Sequence, residues 1–389
     1  MVALLVACQM LLNINAVLLA AITALAGLAL APSPRLATIP VVMYVLGAAT
    51  STLPASFFMK RHGRRAGFLL GASGGIVGGA VCVVGILLDS FAVFLAGLFL
   101  YGTYNAFGQY YRFAAADVAA PDDRSRAISL TLAGGIVGGF VGPWVGRVTR
   151  TLVEPEFLAS FAALSAFALI ALALVTQLSF PEQSLEEQRS SGRPIGEILR
   201  QPAVVVAILA AAVGYGVMNL LMSATPLAMD LCCGHPFSHA TLVLQWHVIG
   251  MFAPSFFTGS LIKRAGVLNV LLVGAALLFV CVGIAMHGTS LMHFWWALTL
   301  LGVGWNFLYI GGTTLLTDAQ APAEKAKIQG VNDFLIYAVM VCSSLTSGVV
   351  VTGTGGWASL TELTLPFVAL TTLATSILWL RRRRAATTG

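Results

Sequence analysis

Two pairs of soft metal ligands stand four residues apart in apolar stretches of the second half of the chain. The pairs are Met218 with Met222 and His247 with Met251. On a helix, a spacing of four places both members of a pair on one face, one turn apart. Thioether and imidazole groups form a soft, uncharged ligand set that favours Cu(I) over Mg²⁺ or Ca²⁺, which prefer oxygen ligands. The spacing indicates either a copper site or ordinary packing, because methionine commonly fills apolar interiors.

The depth of these residues in the membrane is consistent with one shared site. The segment 203–229 runs outward and the segment 240–262 runs back inward. Residues at equal depth in the two segments therefore have numbers that sum to about 465, so Met218 lies level with His247. Met222 and Met251 lie one turn to either side, all within roughly 12 Å of depth at 1.5 Å per residue. We expect the four side chains to converge if the two helix faces meet.

The composition requires these side chains to be positioned by membrane helices. The chain has 389 residues, of which 58% are hydrophobic and 9% are charged, and this excludes a water-soluble domain. With about 20 residues per crossing, there is room for about a dozen spans. Twelve apolar segments are found, at 3–31, 36–59, 66–88, 91–116, 127–150, 157–179, 203–229, 240–262, 267–286, 291–317, 328–352 and 359–380.

The net charge of +6 reflects membrane orientation rather than a nucleic-acid partner. With both termini inside, seventeen of the 21 lysines and arginines fall on the cytoplasmic side, as the positive-inside rule requires. We therefore expect a multi-pass membrane protein with both termini in the cytoplasm. The lipid bilayer is its surrounding partner.

Two sequence echoes relate the halves of the chain. The loop Lys60–Gly63 after span two is echoed by Lys263–Gly266 after span eight. The segment 116–126 after span four is echoed by 317–327 after span ten. Both echoes are offset by about 200 residues, which favours a duplicated six-helix unit.

The longest polar stretch separates six spans from six. Residues 181–202, with the sequence PEQSLEEQRSSGRPIGEILRQP, are typical of a linker. The sequence therefore predicts an all-α membrane protein of twelve transmembrane helices in two pseudo-symmetric six-helix bundles. The bundles are expected at 1–180 and at 203–389, the second with a short basic cytoplasmic tail.

The chain resembles the major facilitator superfamily over essentially its whole length. The loop Ser56–Arg65 is similar to the signature of that family between spans two and three, and Gly138–Gly146 is similar to its glycine-proline signature in span five. The resemblance implies the twelve-helix fold of the family and alternating access between the bundles. The span-five glycines fit either tight helix packing or a hinge.

Ionisable residues near the inner surface and inside the spans form two further groups. The first is a predicted inner gate, in which the acids pair with the basic loops, although the acids also suit simple helix-end solvation. The second consists of two candidate coupling residues in different spans, for which a structural role is the alternative. The gate comprises Arg61, Arg64, Asp117, Arg264 and Asp318, and the coupling group comprises Asp333 and Arg112.

Soft ligands are also enriched at the predicted outer mouth. Adjacent Cys232 and Cys233 precede His235 and His239 on the oxidising side, where they suit capture of metal from outside. The alternative is that histidine and methionine simply favour membrane interfaces. His287, His293, Met229, Met286 and Met292 are predicted on the same side.

The Met-x₃-Met and His-x₃-Met pairs resemble the mark of the CcoA-type copper importers, a branch of the same superfamily. The resemblance implies import of Cu(I) bound by Met218, Met222, His247 and Met251, with copper as the transported substrate, free or as a small complex. It further implies a cytoplasmic copper chaperone or exporter downstream and a place in cytochrome oxidase assembly. No prosthetic group is implied.

An alternative function is uptake of a planar organic solute such as riboflavin, because riboflavin transporters resemble the same branch. Flat aromatic surfaces with a few amides suit such a ligand. An enzyme is disfavoured, since no nucleophile elbow, metalloprotease motif or phosphate loop is found. The aromatic and amide residues are Tyr101, Tyr104, Asn105, Gln109, Tyr110 and Tyr111 in span four and Trp305, Asn306 and Tyr309 in span ten.

Overall fold

A computed structural model describes residues 1–33, 36, 39–180, 192–229, 233–351 and 355–388. Most of the predicted linker, residues 181–191, lies outside the described residues, and so does Cys232. Within these ranges the regular elements are helices. An all-helical chain is expected in a bilayer, because a helix satisfies its backbone hydrogen bonds within one segment.

The described residues form two compact units. Unit 1 comprises 1–119, 131–192 and 322–337, and unit 2 comprises 120–130, 193–321 and 338–389. The predicted division at the linker stays a prediction.

Unit 1 holds the helices of the first half of the chain, apart from the start of α5. It also holds the first part of α14, which is introduced below. Its helices are α1 (Val2–Leu30), α2 (Ile39–Leu87), α3 (Phe91–Gly108), α4 (Tyr111–Val118), the end of α5 (Arg124–Ala133), α6 (Gly135–Thr149) and α7 (Leu158–Val175).

Unit 2 holds the helices of the second half of the chain. The helix α14 is divided between the units after Tyr337. The helices are α8 (Ile195–Ile198), α9 (Pro202–Leu227), α10 (Phe237–Phe252), α11 (Ser255–Ala265), α12 (Val267–His287), α13 (Leu291–Ala319), α14 (Lys325–Val351), α15 (Gly356–Glu362) and α16 (Leu365–Thr388).

The number of membrane spans agrees with the sequence. Ten helical stretches in the described ranges are long and apolar enough to cross a bilayer, or eleven with the bent pair α10 and α11 as one span. The 49-residue α2 is about 74 Å long at 1.5 Å per residue, more than twice the hydrocarbon thickness. A non-helical residue, Gly63, breaks it. Counting α2 as two spans gives twelve, which confirms the predicted all-α fold.

The duplicated basic loops share a backbone conformation as well as a sequence. Gly63 and Gly266 both have φ of +86°, in the region that L-residues with a side chain rarely adopt. Each glycine directly ends a helix that carries a Lys-Arg pair. The echo between Lys60–Gly63 and Lys263–Gly266 is therefore a repeated turn, and its fourth residue must be glycine.

The span-five glycines lie against α1. A Cβ built on Gly138 would lie 2.7 Å from the backbone carbon of Asn13, and one on Gly142 would lie 2.9 Å from the nitrogen of Leu18. Real Cβ atoms do not approach backbone this closely. These contacts support the tight-packing interpretation of the motif, since small residues let membrane helices approach.

Candidate functional site

The predicted thioether and imidazole ligands lie in unit 2, on α9 and α10. Met218 is 4% exposed, Met251 is 8% exposed and Met222 is half-buried. His247 is completely buried. However, α9 and α10 contact each other over a much shorter length than either contacts α13. The two pairs therefore share α13 as their main neighbour, and their convergence on one ion stays a prediction.

The ring of His247 is oriented by α13. Its Nδ1 lies 2.7 Å from the carbonyl oxygen of Leu298. Because a carbonyl oxygen only accepts, Nδ1 carries the hydrogen and Nε2 carries the lone pair. Within the described residues, Nε2 has no hydrogen-bond partner. This nitrogen is thus prepared to bind a metal ion or to accept a hydrogen bond from a ligand.

Glycine brings α10 and α13 close enough for this hydrogen bond. A Cβ on Gly302 of α13 would lie 2.7 Å from the backbone nitrogen of Met251. The two backbones are therefore in direct contact beside His247, as small residues allow in membrane helix pairs.

Four aromatic rings from α9, α10 and α13 form a cluster in unit 2. Trp305 stacks on Tyr309, with ring centroids 5.1 Å apart and planes 23° apart. Tyr215 presents its ring edge-on to both, at 5.1 and 4.8 Å, and Phe252 packs at 5.8 Å from Trp305. We call Tyr215, Phe252, Trp305 and Tyr309 the aromatic cluster.

One member of the aromatic cluster, Trp305, and the nearby Thr313 each carry a buried polar atom without a hydrogen-bond partner among the described residues. Trp305 is 1% exposed, and its indole Nε1 donates no hydrogen bond within the described part of the chain. The hydroxyl of Thr313, one turn along α13 from Tyr309, is likewise buried without a partner among those residues. A buried donor without a partner is costly, so a ligand or water is the expected partner. Stacked rings with such donors suit a flat polar molecule.

Asn306, which the sequence grouped with the ligand-facing residues, instead connects helices. Its Nδ2 donates to the carbonyl oxygen of Met251 and to Oγ of Ser255, both at 2.6 Å. Its Oδ1 accepts from Oγ1 of Thr258 at 2.7 Å. These bonds span the break between α10 and α11, where the path bends by 41°. Asn306 thus positions this bend.

A buried ion pair lies at the centre of unit 1. The guanidinium of Arg112 on α4 contacts Oδ1 of Asp333 on α14, and the side chains are 1% and 2% exposed. Asn332 donates to the same oxygen at 2.8 Å. Arg112 also donates to the backbone carbonyl and side-chain oxygen of Gln109, at 2.8 and 3.1 Å. The two residues that were separately predicted for coupling are therefore brought together, and their role in coupling stays a prediction.

The network extends through amides to a tyrosine. Gln109 donates to Oδ1 of Asn105 at 3.3 Å, and Asn105 donates to the hydroxyl of Tyr337 at 2.7 Å. Buried polar side chains thus continue from the ion pair along α4 and α3. In a membrane protein, such a network is expected at a functional position.

Two of the span-four tyrosines predicted to face a ligand donate hydrogen bonds in unit 1, whereas the buried hydroxyl of Tyr104 makes no hydrogen bond of good geometry with the described residues. Tyr110 donates to the carbonyl oxygen of Thr52 at 2.9 Å, and Tyr101 to that of Leu164 at 3.4 Å. Tyr104 and Tyr111 are each 1% exposed. These tyrosines pack and tie the helices of unit 1.

Two of the residues predicted for an inner gate, Arg64 and Asp117, are in contact in unit 1, and their role as a gate stays a prediction. Asp117 at the end of α4 pairs with Arg64 at 3.0 Å through one oxygen and with Lys325 at 2.7 Å through the other. Arg64 also donates to Gln329 at 2.8 Å. The Arg64 and Asp117 prediction is realised as a contact, whereas Lys325 and Gln329 were missed because they lie more than 200 positions away.

The other predicted gate residues are not brought together. Arg61, Arg264 and Asp318 are exposed, and none of them forms an ion pair with another described residue. Among the described residues, Asp123 instead forms exposed ion pairs with Lys263 at 3.2 Å and with Arg126 at 3.6 Å. The repeat in sequence is therefore not a repeat of the salt bridge, since Arg264 corresponds to the equally exposed Arg61, and Val267 follows Gly266 where Arg64 follows Gly63.

Part of the predicted outer capture group lies together. The rings of His235 and His239 have centroids 5.8 Å apart, and Nε2 of His235 lies 2.8 Å from the carbonyl oxygen of Thr289. Among the described residues no group of three or more histidine, cysteine or acidic side chains is arranged to hold a metal ion. Cys233 thus does not complete such a group with the two histidines.

Three amides on α1 were missed by the sequence reasoning. Gln9 and Asn15 are 2% and 1% exposed. Within the described ranges, four side-chain atoms of these amides make no hydrogen bond of good geometry. They are Oε1 of Gln9, Nδ2 of Asn13, and Nδ2 and Oδ1 of Asn15. The amino-acid sequence could have indicated these residues, since three amides within seven residues interrupt an otherwise apolar span.

Comparison with known proteins identifies the family. The family model described as Major Facilitator Superfamily matches residues 3–343. The riboflavin transporter RfnT of Brucella anthropi is 41% identical over 365 residues, which are 93% of this chain and 91% of that protein. The uncharacterized MFS-type transporter YddS of Bacillus subtilis is 29% identical over 341 residues, covering 82% of this chain and 77% of that protein.

Solved structures share the fold. The human organic anion transporter MFSD10 (TETRAN) has a TM-score of 0.77 at 15% identity, over 96% of this chain and 98% of that chain. Identity at this level shows the fold alone. Together with the family match, it establishes that this chain belongs to the major facilitator superfamily and is a multi-pass membrane transporter, not an enzyme, with no prosthetic group.

Proposed function

We propose that this transporter carries riboflavin or a closely related planar organic solute. The observation that carries the proposal is the aromatic cluster, in which Trp305 stacks on Tyr309 and presents a buried indole N–H without a protein partner among the described residues. The similarity to the riboflavin transporter RfnT supports the same substrate class.

The chemistry of riboflavin matches what the cluster offers. Its isoalloxazine is a flat tricyclic ring with two carbonyl oxygens and one imide N–H. Aromatic rings prefer offset-stacked or edge-to-face contacts, each contributing about 0.5–1.5 kcal/mol beyond area burial. Trp305 Nε1 suits a carbonyl oxygen of the ligand, and Nε2 of His247, which carries a lone pair, suits a donor such as an imide or ribityl group. Both atoms belong to unit 2.

The test is uptake of radiolabelled riboflavin by cells that depend on an external supply. We expect Trp305→Leu, which removes the stacking surface and the N–H, to reduce uptake at least tenfold. Trp305→Phe keeps an aromatic surface and should lose less. The matched control is Trp246→Phe, at a tryptophan of the same unit that is 39% exposed. Equal uptake by wild type and Trp305→Leu at equal expression would overturn the proposal.

Copper is the second candidate, and one observation favours it. His247 is completely buried, its tautomer leaves Nε2 available, and Met251 lies one turn away on the same face. Imidazole with thioethers is the soft ligand set that selects Cu(I). Delivery of copper to cytochrome oxidase assembly would follow only if copper is the cargo.

Uptake of radioactive copper separates the two candidates. The double variant Met222→Leu and Met251→Leu removes thioethers at conserved volume, so it should abolish copper uptake if copper is the cargo and leave riboflavin uptake nearly unchanged. Under the riboflavin proposal, cells expressing the wild type accumulate riboflavin and no more copper than cells without the transporter.

A further inference from the structure

Away from the residues assigned to transport, a groove of about 350 Å³ opens in unit 2 where α12 ends and α13 begins. Its described lining residues include two histidines and one methionine and no carboxylate. The lining residues are Gly283, Ile284, His287, Met292, His293 and Trp296.

The two imidazoles face a common space from different helices. His287 is the last residue of α12, and His293 lies in the first turn of α13. Their ring centroids are 6.5 Å apart, with the planes at 38°. A metal bound to one nitrogen of each ring at about 2.0–2.1 Å would place the centroids roughly 6 Å apart, so small side-chain rotations are sufficient.

The ring of His293 is held in place. Oγ of Ser290 lies 2.7 Å from its Nδ1, which leaves Nε2 for a ligand. The backbone of Gly288 lies against the same ring, since a Cβ there would lie 2.7 Å from Nε2. The intervening turn is itself held by the contact of His235 with the carbonyl of Thr289. Hydrogen bonds of this kind fix the orientation of metal-binding histidines.

The donor set defines the ion. Two neutral imidazoles with a thioether form a soft set, and a groove without carboxylates disfavours Mg²⁺, Ca²⁺ and Mn²⁺. Ile284 and Trp296 add apolar walls, which limit access of water to a bound ion. His287 and Met292 are exposed, so the groove is open at the surface of the protein.

We propose that His287, Met292 and His293 bind one Cu(I) ion, as a site separate from the transport pathway. The site joins the end of α12 to the start of α13. It does not depend on which solute is carried, because none of its residues belongs to the aromatic cluster or to the His247 group.

The test is titration of the purified, full-length transporter with Cu(I) in competition with a colorimetric Cu(I) chelator. We expect His287→Gln with His293→Gln to bind one Cu(I) fewer than the wild type, and Met292→Leu to bind at this site at least tenfold more weakly. Met286→Leu is the matched control, because Met286 is 45% exposed on the same helix end but does not line the groove. Gly288→Ala should also weaken binding by displacing the ring of His293.

Two further measurements keep the outcome clear. Thermal unfolding of each purified variant reports that the protein is folded, and riboflavin uptake separates failure of this site from failure of the proposed function. The same titration in the Met222→Leu and Met251→Leu background removes any copper bound by those thioethers. An unchanged number and affinity of bound Cu(I) in the double histidine variant would overturn the proposal.

Discussion

The carboxylate of Asp333 contacts the guanidinium of Arg112 within unit 1, and both side chains are almost completely buried. Oδ2 of Asp333 accepts no hydrogen bond from the described residues. Charges buried in a membrane are costly unless paired, so each partner offsets part of the cost of burying the other.

Replacing one member of this ion pair should destabilise the transporter more than replacing both members. We expect Asp333→Asn to lower the free energy of unfolding by about 3–5 kcal/mol, because the buried charge of Arg112 loses the carboxylate that it contacts. Adding Arg112→Gln should restore a substantial part of that loss. Thermal unfolding of the detergent-purified single and double variants measures the coupling. Additive effects of the two substitutions would contradict the pairing.

The second prediction concerns Asp117, which bridges Arg64 and Lys325. Asp117→Asn weakens both ion pairs at positions that are largely buried, so we expect a loss of about 1–3 kcal/mol in stability together with an altered transport rate. Asp123→Asn is the control, since that carboxylate and its partner Lys263 are about half exposed. Stability and initial uptake rate of Asp123→Asn should match the wild type. Equal effects of the two substitutions would show that Asp117 is no more than a solvated helix end.

The third prediction concerns the contact of α10 with α13. Gly302→Ala inserts a methyl group 2.7 Å from the backbone nitrogen of Met251, so the helices must separate and the His247 to Leu298 hydrogen bond must lengthen. We expect a stability loss of about 1–3 kcal/mol and reduced uptake of substrate. Gly283→Ala is the control, because no atom lies within 4 Å of its added Cβ. If the two variants unfold at the same temperature, this close approach is not required.

The fourth prediction tests the role of Asn306 at the helix bend. Asn306→Leu leaves the carbonyl of Met251 and the hydroxyls of Ser255 and Thr258 without this partner, at a cost of about 1–3 kcal/mol. Asn269→Leu is the control, since the hydrogen bonds made by the side-chain amide of Asn269 are exposed. The thermal stability of the purified variants checks the prediction. A stable Asn306→Leu protein that loses only transport would instead assign Asn306 to the substrate.

The amino-acid sequence by itself determined the class, the number of spans and the repeated turns. These follow from local properties: twelve apolar segments of spanning length, cations in alternate loops, and a glycine where Lys60–Gly63 and Lys263–Gly266 must turn with positive φ. The resemblance to the superfamily was carried by contiguous residues, and the family match confirms it.

The tertiary structure decided which side chains meet, because helix spacing gives the face of a residue but not its neighbour. Arg64 and Asp117 were grouped in advance, yet Lys325 completes their contact from another part of the chain. The pair His247 and Met251 was placed on one face from sequence, whereas the hydrogen bond to Leu298 fixes which ring nitrogen is available. These contacts depend on long-range packing between helices, which the local periodicity of the sequence does not encode.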